Sequence, residues 1–212
     1  VPQMLELAKE LNVDLFMHFN FIPTGRGKDI IKLDITPKER EELLKMLAEK
    51  TMMEEIQAAS TAPQYARIAL QMGSQYGESF LAGHFYRFTS EQKLDSLAEF
   101  VGGCGAGRAY IALEPNGDIQ PCVFMPIKVG NILKDNFEEL WRNNKVFQEL
   151  RNRDLLKGPC GVCPYRYVCG GCRARAYAYF GDYLAPDPGC IYAMEWWNRV
   201  IERAVQPIIR RD

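Results

Sequence analysis

The 212-residue sequence contains no run of about 18 or more apolar residues, so it offers no membrane-spanning helix. Its opening, Val-Pro-Gln-Met-Leu-Glu-Leu-Ala-Lys-Glu-Leu-Asn, lacks the basic start and apolar stretch of a secretory signal, and a cytoplasmic protein is the expectation. Excess charge of either sign is also missing: 26 Lys and Arg against 27 Asp and Glu leave a net charge of −1. A phosphate-binding surface shows as a surplus of Lys and Arg, so nucleic acid is not an expected partner. Histidine is scarce, at two residues, and no internal repeat or low-complexity tract is present. Cysteine is absent before residue 104, and seven then fall between Cys104 and Cys190. An odd, clustered set in a chain without an export signal points to metal binding rather than to a disulfide framework. The chain starts with Val rather than Met, in what reads as mid-helix, so a piece of a longer protein is expected.

The first 75 residues alternate. Met4, Leu5, Ala8 and Leu11 have helical spacing, with Asn12 suited to end the helix. A mostly apolar run over 14–22 predicts a strand covered on both faces, emptying into the loop Pro23-Thr-Gly-Arg-Gly27. Thr36-Pro37-Lys38-Glu39 reads as an N-cap, a proline at the first helical position and a capping-box glutamate, and predicts a helix over 37–50. A second strand over 53–59 and a helix over 63–72 follow. This α-β-α-β-α order argues for a parallel sheet, yet two strands leave edges and faces uncovered, so the rest of the sheet must come from elsewhere. Residues 76–103 read as a linker with a short helix at Ser90–Phe100. Beyond it the period changes to 2 around Asn116-Gly117, predicting a β-hairpin with a type I′ turn. Helices are expected over 136–150, over 172–180 and after Cys190, which makes the second half α+β.

The cysteines read Cys104-x12-Gly117-x4-Cys122, then Cys160-x2-Cys163-x5-Cys169-x2-Cys172, then Cys190. A Cys-x2-Cys turn aims two thiolates into one pocket, and soft sulfur selects iron-sulfur clusters, zinc or copper(I) over hard ions. In a zinc ribbon the two pairs are separated by about 15–20 residues so that two knuckles can face each other; here five intervene.

Set out in this way, the cysteines resemble the SPASM subgroup of radical-SAM enzymes, whose C-terminal signature is Cys-x9-15-Gly-x4-Cys, a gap, Cys-x2-Cys-x5-Cys-x3-Cys, a gap and a last Cys. The match covers every cysteine, with one departure: only Gly170 and Gly171 stand between Cys169 and Cys172 where the pattern has three residues. The resemblance implies two auxiliary [4Fe-4S] clusters, the first held by Cys104, Cys122 and Cys172, the second by Cys160, Cys163, Cys169 and Cys190. The first then has an iron that is open, bound by another residue or reserved for substrate. Upstream, the Pro-Thr-Gly-Arg-Gly strand end and Thr-Ala-Pro-Gln-Tyr-Ala-Arg look like the last strands and helices of the partial TIM barrel of these enzymes. The implied division is 1–75 barrel remnant, 76–103 linker and 104–212 SPASM domain. The Cys-x3-Cys-x2-Cys loop that holds the SAM-cleaving cluster is absent, so S-adenosylmethionine is expected only in a longer parent protein or with a partner chain completing the barrel. The string Cys-Gly-Gly-Cys-Arg-Ala-Arg-Ala-Tyr-Ala and the Pro-Asp-Pro-Gly-Cys190 that follows look most like the branch acting on tetrapyrroles, including haem and haem d1 biosynthesis. Peptide and cofactor maturases carry similar strings. A ferredoxin or flavodoxin would supply electrons.

Other residues are weighed beside these. Arg26, at the end of a barrel-type strand, is a candidate contact for the carboxylate of SAM or for substrate. Arg166, Arg173 and Arg175 lie among the cysteines and could offset cluster charge or bind substrate carboxylates, with Arg175 leaning toward a helical surface position. His18 is either a barrel-lining group or a hydrogen-bonded core histidine. His84 is either a ligand to the open iron or a loop residue. The aromatics Tyr177, Tyr179, Tyr183, Trp196 and Trp197 read as core. A stand-alone iron-sulfur electron carrier or scaffold and a zinc-stabilised interaction module remain as alternatives to the maturase.

Overall fold

The computed structural model describes residues 1–76, 79–82, 87–90 and 103–205. The first helix, α1 (Pro2–Glu10), ends at Asn12, whose φ of +52° places it in the left-handed region that asparagine tolerates. The Asn12 and Val13 N–H groups return to the carbonyls of Lys9 and Ala8 at 3.0 and 2.9 Å, which closes the last turn. Strand β1 is only Phe16–His18, shorter than the apolar run suggests. Its continuation finds a side chain instead of a ladder partner: Asn20 N–H donates to Thr61 Oγ1 at 2.8 Å. After Pro23 the chain winds through 3-10 turns over Gly25–Leu33, kinked at Ile30.

Helix α2 (Pro37–Met52) begins with the expected capping box. Glu39 N–H donates to Thr36 Oγ1 at 3.2 Å, and Thr36 N–H donates to Glu39 Oε2 at 2.8 Å. Residues 53–55, expected in a strand, are spent on closing this helix: Glu54 takes a φ of +55° and Glu55 N–H reaches the Lys50 carbonyl at 3.0 Å. Strand β2 (Ala58–Ser60) therefore starts late, and it pairs in parallel with β1, Phe16 opposite Ala58 and His18 opposite Ser60. Helix α3 (Gln64–Tyr76) follows. Leu5 and Ala8 of α1, Leu44, Leu47 and Ala48 of α2 and Tyr65, Ile68 and Ala69 of α3 close one core with Ile56 and Ala58. Among the described residues the parallel sheet consists of β1 and β2 alone.

The span read as a linker holds strands β3 (Ser79–Ala82) and β4 (Arg87–Ser90), paired antiparallel, with Phe and Thr suited to extended backbone. The expected helix at 90–100 lies outside the described residues except for Ser90, which ends β4; His84 lies outside them too. Strands β5 (Ala112–Leu113) and β6 (Asp118–Gln120) form the expected hairpin, and β7 (Gly130–Asn131) adds to β6. Its turn is not type I′. Gly117 N–H closes onto the Glu114 carbonyl at 2.8 Å, Gly117 alone has positive φ (+82°), and Glu114 N–H pairs with the Asp118 carbonyl at 2.9 Å. This is a type I turn with a glycine bulge. Pro115 decides it, because a ring-locked φ near −65° fits position i+1 of a type I turn.

The single helix expected over 136–150 is two, α4 (Phe137–Asn143) and α5 (Lys145–Arg151). Asn144 separates them in an extended conformation and caps the second, its Oδ1 accepting from Val146 N–H at 2.9 Å. Short α6 (Gly158–Val162), α7 (Arg173–Phe180) and α8 (Met194–Val205) complete the chain, with Gly181 closing α7 at φ +69°. Tyr177 and Tyr183 pack on the cysteine-lined core and Trp197 is buried, as read from the sequence.

A buried polar network joins the two halves. Asp34 accepts from Arg40 Nη2 at 2.5 Å and from Tyr179 OH at 2.8 Å, while Asn20 Oδ1 accepts from Arg40 Nε at 3.0 Å and Arg175 Nη2 at 2.6 Å. Arg175 also bonds the Phe21 carbonyl. Asp187 takes Gln64 Nε2 at 2.7 Å and the backbone N–H of Cys172 at 2.8 Å. Arg175 is thus fully buried rather than on a helical surface. A Cβ on Gly189 would lie 1.9 Å from its Nη1, so glycine is what admits the arginine pair there.

Candidate metal centre

The seven cysteines are all unpaired, and six are buried, with Cys163 partly exposed. They fall into two groups. Cys104, Cys122 and Cys172 belong to one buried cluster with Ala106, Met125, Leu150 and Ala174, and Tyr110 packs against it. Cys160, Cys163, Cys169 and Cys190 line one pocket with Arg67, Pro159, Tyr165, Gly170 and Gly171.

The two-glycine turn between Cys169 and Cys172 separates the groups. Gly170 and Gly171 both have left-handed φ, +63° and +61°, a combination open to glycine at little cost. It sends Cys169 toward the pocket and Cys172 to the N-terminus of α7. There Arg175 N–H donates to Cys172 Sγ at 3.4 Å, so the sulfur caps the positive end of the helix, where a thiolate is favoured. Gly171 N–H donates to Cys169 Sγ at 3.4 Å, Arg173 Nη2 to Cys160 Sγ at 3.8 Å and Tyr110 OH to Cys122 Sγ at 3.8 Å. Each of these donors favours negative charge on sulfur.

Burial works the other way. It pushes the Cys169 thiol up to about 12 and raises Cys122, Cys160, Cys172 and Cys190 as well. The neighbouring thiols add to this within each group: Cys104 acts on Cys122 and Cys172, Cys160 on Cys169, and Cys169 on Cys190. Without a cation these sulfurs hold their protons at neutral pH, and iron would displace them.

The surrounding charges fit an anionic cluster. Arg153 and Arg173 are 5% and 1% exposed, yet among the described residues neither has a carboxylate within salt-bridge distance. Arg173 donates to the carbonyls of Gly171, Tyr183 and Ala185 at 3.2, 3.0 and 2.7 Å, and Arg153 Nη2 to the Cys104 carbonyl at 2.8 Å. A buried guanidinium without an anion is strongly unfavourable, and cysteine thiolates holding an iron-sulfur cluster would supply negative charge beside these two. Among the described residues no three Cys, His, Asp or Glu side chains sit close enough to share one metal ion. Arg153, Tyr110 and Asp187 were not singled out by the sequence. Only the density of arginine around the cysteines hinted at the first.

The remaining candidates separate. Arg166 makes a surface pair with Asp154 at 2.9 Å and bonds the Gly161 carbonyl at 3.1 Å. Arg26 is exposed on the 3-10 turn beyond Pro23, eight residues past the end of β1 at His18. His18 Nδ1 lies 2.9 Å from Ser60 Oγ, and burial, with Arg40 and Arg175 nearby, lowers its pKa to about 4. It is a neutral, hydrogen-bonded and half-buried histidine at pH 7. Because its folded pKa lies below the unfolded value near 6.5, its contribution to stability is complete above about 6.5 and is lost as pH falls toward 4. Denaturant midpoints between pH 4 and 7 should show this slope, and a His18→Gln variant should flatten it.

Residues 104–164 match the SPASM family, an iron-sulfur cluster-binding domain. The chain is 37% identical over 194 residues to the AdoMet-dependent heme synthase of Methanosarcina barkeri, covering 91% of this chain and 52% of that protein. It is 28% identical over 196 residues to the pre-heme d1 synthase of Dinoroseobacter shibae, covering 90% and 48%. To the mycofactocin maturase of Mycobacterium tuberculosis it is 37% identical over 121 residues, covering 54% and 30%. The chain thus spans about half the length of the AdoMet-dependent heme synthase that it matches. No helix among the described residues is long and apolar enough to cross a membrane.

Proposed function

From a chain that carries a SPASM iron-sulfur domain and is similar to the haem-synthesis branch of the radical-SAM enzymes, we propose the auxiliary-cluster half of a radical-SAM maturase acting on a tetrapyrrole. Cys104, Cys122 and Cys172 hold one [4Fe-4S] cluster; Cys160, Cys163, Cys169 and Cys190 hold the other. The observation that carries this reading is the sorting of seven cysteines into a buried group of three and a pocket-lining group of four. Bound clusters supply one-electron chemistry, and the three-cysteine cluster offers an iron that can anchor substrate. The chain's own residues exclude water from the sulfurs, donate hydrogen bonds to them and provide buried positive charge. A peptide or cofactor precursor is the other substrate class, since a mycofactocin maturase is among the relatives.

Residues 1–75 are read as the last strands and helices of a partial barrel, 76–103 as a linker and 104–212 as the cluster domain. The exposed Val13, Leu15 and Phe19 around β1 support that reading, because a parallel strand pair needs further strands to cover it. The SAM-binding half lies in a longer parent protein or a partner chain, with Arg26 as the contact offered to the carboxylate of SAM or to substrate. A ferredoxin or flavodoxin supplies electrons, in the cytoplasm. Anaerobically reconstituted chain is expected to leave SAM intact by itself. Joined to a half bearing Cys-x3-Cys-x2-Cys, it should cleave SAM faster when a carboxylate-bearing tetrapyrrole is added. Stimulation by peptide alone would move the assignment to peptide maturation, and turnover that survives loss of all seven cysteines would overturn it.

A further inference from the structure

The two cysteine groups touch through their backbones. Cys104 N–H donates to the Cys169 carbonyl at 3.2 Å, joining the first residue of one group to the third of the other. A Cβ on Gly103 would come within 2.2 Å of that carbonyl, so the approach depends on glycine. The Arg153 guanidinium is laid over this junction. Its Nη2 donates to the Cys104 carbonyl at 2.8 Å, and its other side rests on Gly170, where a Cβ would lie 1.4 Å from Nη1 and 2.3 Å from Cζ. Nη1 is buried and has no hydrogen-bond partner among the described residues.

The backbone that carries Arg153 is pinned. Asn152 ends α5 and caps the 3-10 turn Arg153–Leu155, its Oδ1 accepting from Asp154 N–H at 3.0 Å. Asp154 in turn accepts from Tyr167 OH at 2.5 Å and from Arg166 at 2.9 Å, both in the cysteine segment. An arginine fixed in this way, without a carboxylate and with one edge unsatisfied, is a positive charge held for an anion on either side.

We propose that Arg153 is the shared counter-charge of the two cysteine groups, a single guanidinium between Cys104 of the first and Cys169-Gly170 of the second that raises the reduction potentials of both clusters together. The proposal rests on the two-cluster reading above. A fixed positive charge stabilises the more negative, reduced form of each cluster, so its removal lowers both potentials. Neither cluster then tunes independently at this position, which suits two centres that pass an electron between them.

The test compares the anaerobically reconstituted full chain with R153Q and R153K by iron and sulfide content and by a potentiometric titration followed by electron paramagnetic resonance. Wild-type protein that fails to hold two clusters sinks the two-cluster reading and this proposal with it. With two clusters present in wild type, R153Q should lower both midpoints by at least the equivalent of a tenfold change in reduced-to-oxidised ratio, about 59 mV for one electron. R153K, which keeps the charge, should recover most of that shift. Unchanged midpoints in R153Q, a shift in one cluster only, or equal shifts in R153Q and R153K would overturn the proposal while leaving the two-cluster reading intact. Should R153Q lose its iron, retention of iron by R153K supports the charge requirement and loss from both overturns it.

Discussion

Replacing Cys169 by serine is expected to cut the iron content of the reconstituted protein from about eight to about four per chain, with one cluster signal surviving. Cys169 is buried, its thiol is pushed up to about 12 by burial, and it lines the same pocket as Cys160, Cys163 and Cys190. A serine there offers a harder and more basic oxygen, which iron-sulfur clusters accept poorly. Cys122→Ser should give the complementary loss, because Cys122 belongs to the other buried group. Pairing the substitutions makes the partition explicit. C169S combined with C190S should lose no more iron than C169S alone, whereas C169S combined with C122S should lose nearly all of it. Equal losses from both pairs would mean that the cysteines are not divided as the packing divides them.

Asp34→Ala should destabilise the protein by about 3–5 kcal/mol, the range for breaking a buried ion pair by removing one partner. The Asp34 side chain is fully buried; it accepts from Arg40 at 2.5 Å and Tyr179 at 2.8 Å and lies 3.9 Å from Arg175. Burial first, and then Arg175, lowers the Arg40 pKa to about 10, so the two guanidiniums already press on each other. Without Asp34 they share Asp187 and the carbonyl and amide oxygens around them. A loss of this size is a large part of the roughly 5–15 kcal/mol that holds a typical domain folded. Urea unfolding of reconstituted protein would measure it. A change below about 1 kcal/mol would mean that the network between the two halves is not what holds them.

Those two results draw on features of unequal visibility in the sequence. The cysteine spacing announced the cluster domain because soft ligands at fixed intervals have few other uses. The Thr36–Glu39 capping box and the hairpin at Asn116-Gly117 were equally local, and each is formed. Errors arose where two local signals competed. Pro115 overrode the Asn-Gly dipeptide and gave a type I turn with a bulge, and Asn144, used as a cap, divided one amphipathic pattern into two helices. Residues 14–22 read as one strand, yet among the described residues only Phe16–His18 pairs in a ladder, since pairing depends on β2 42 residues away. Long-range charge was the least legible. Arg40 and Asp34 meet Arg175 and Asp187 only after the two halves pack, and nothing near Arg175 in the chain marks it as buried. Arg153 precedes Cys160 by seven residues in an ordinary polar stretch, and its place at the junction follows from the glycines at 103 and 170.

Iron, acid-labile sulfide and zinc, measured with an absorption spectrum on protein prepared without oxygen, test the central claim most directly. Two clusters on seven cysteines predict about eight irons and eight sulfides per chain, a broad brown absorption that bleaches on reduction, and no stoichiometric zinc. Zinc bound in stoichiometric amounts, with no iron taken up on reconstitution, would contradict the account and leave the cysteines as the ligands of a structural module.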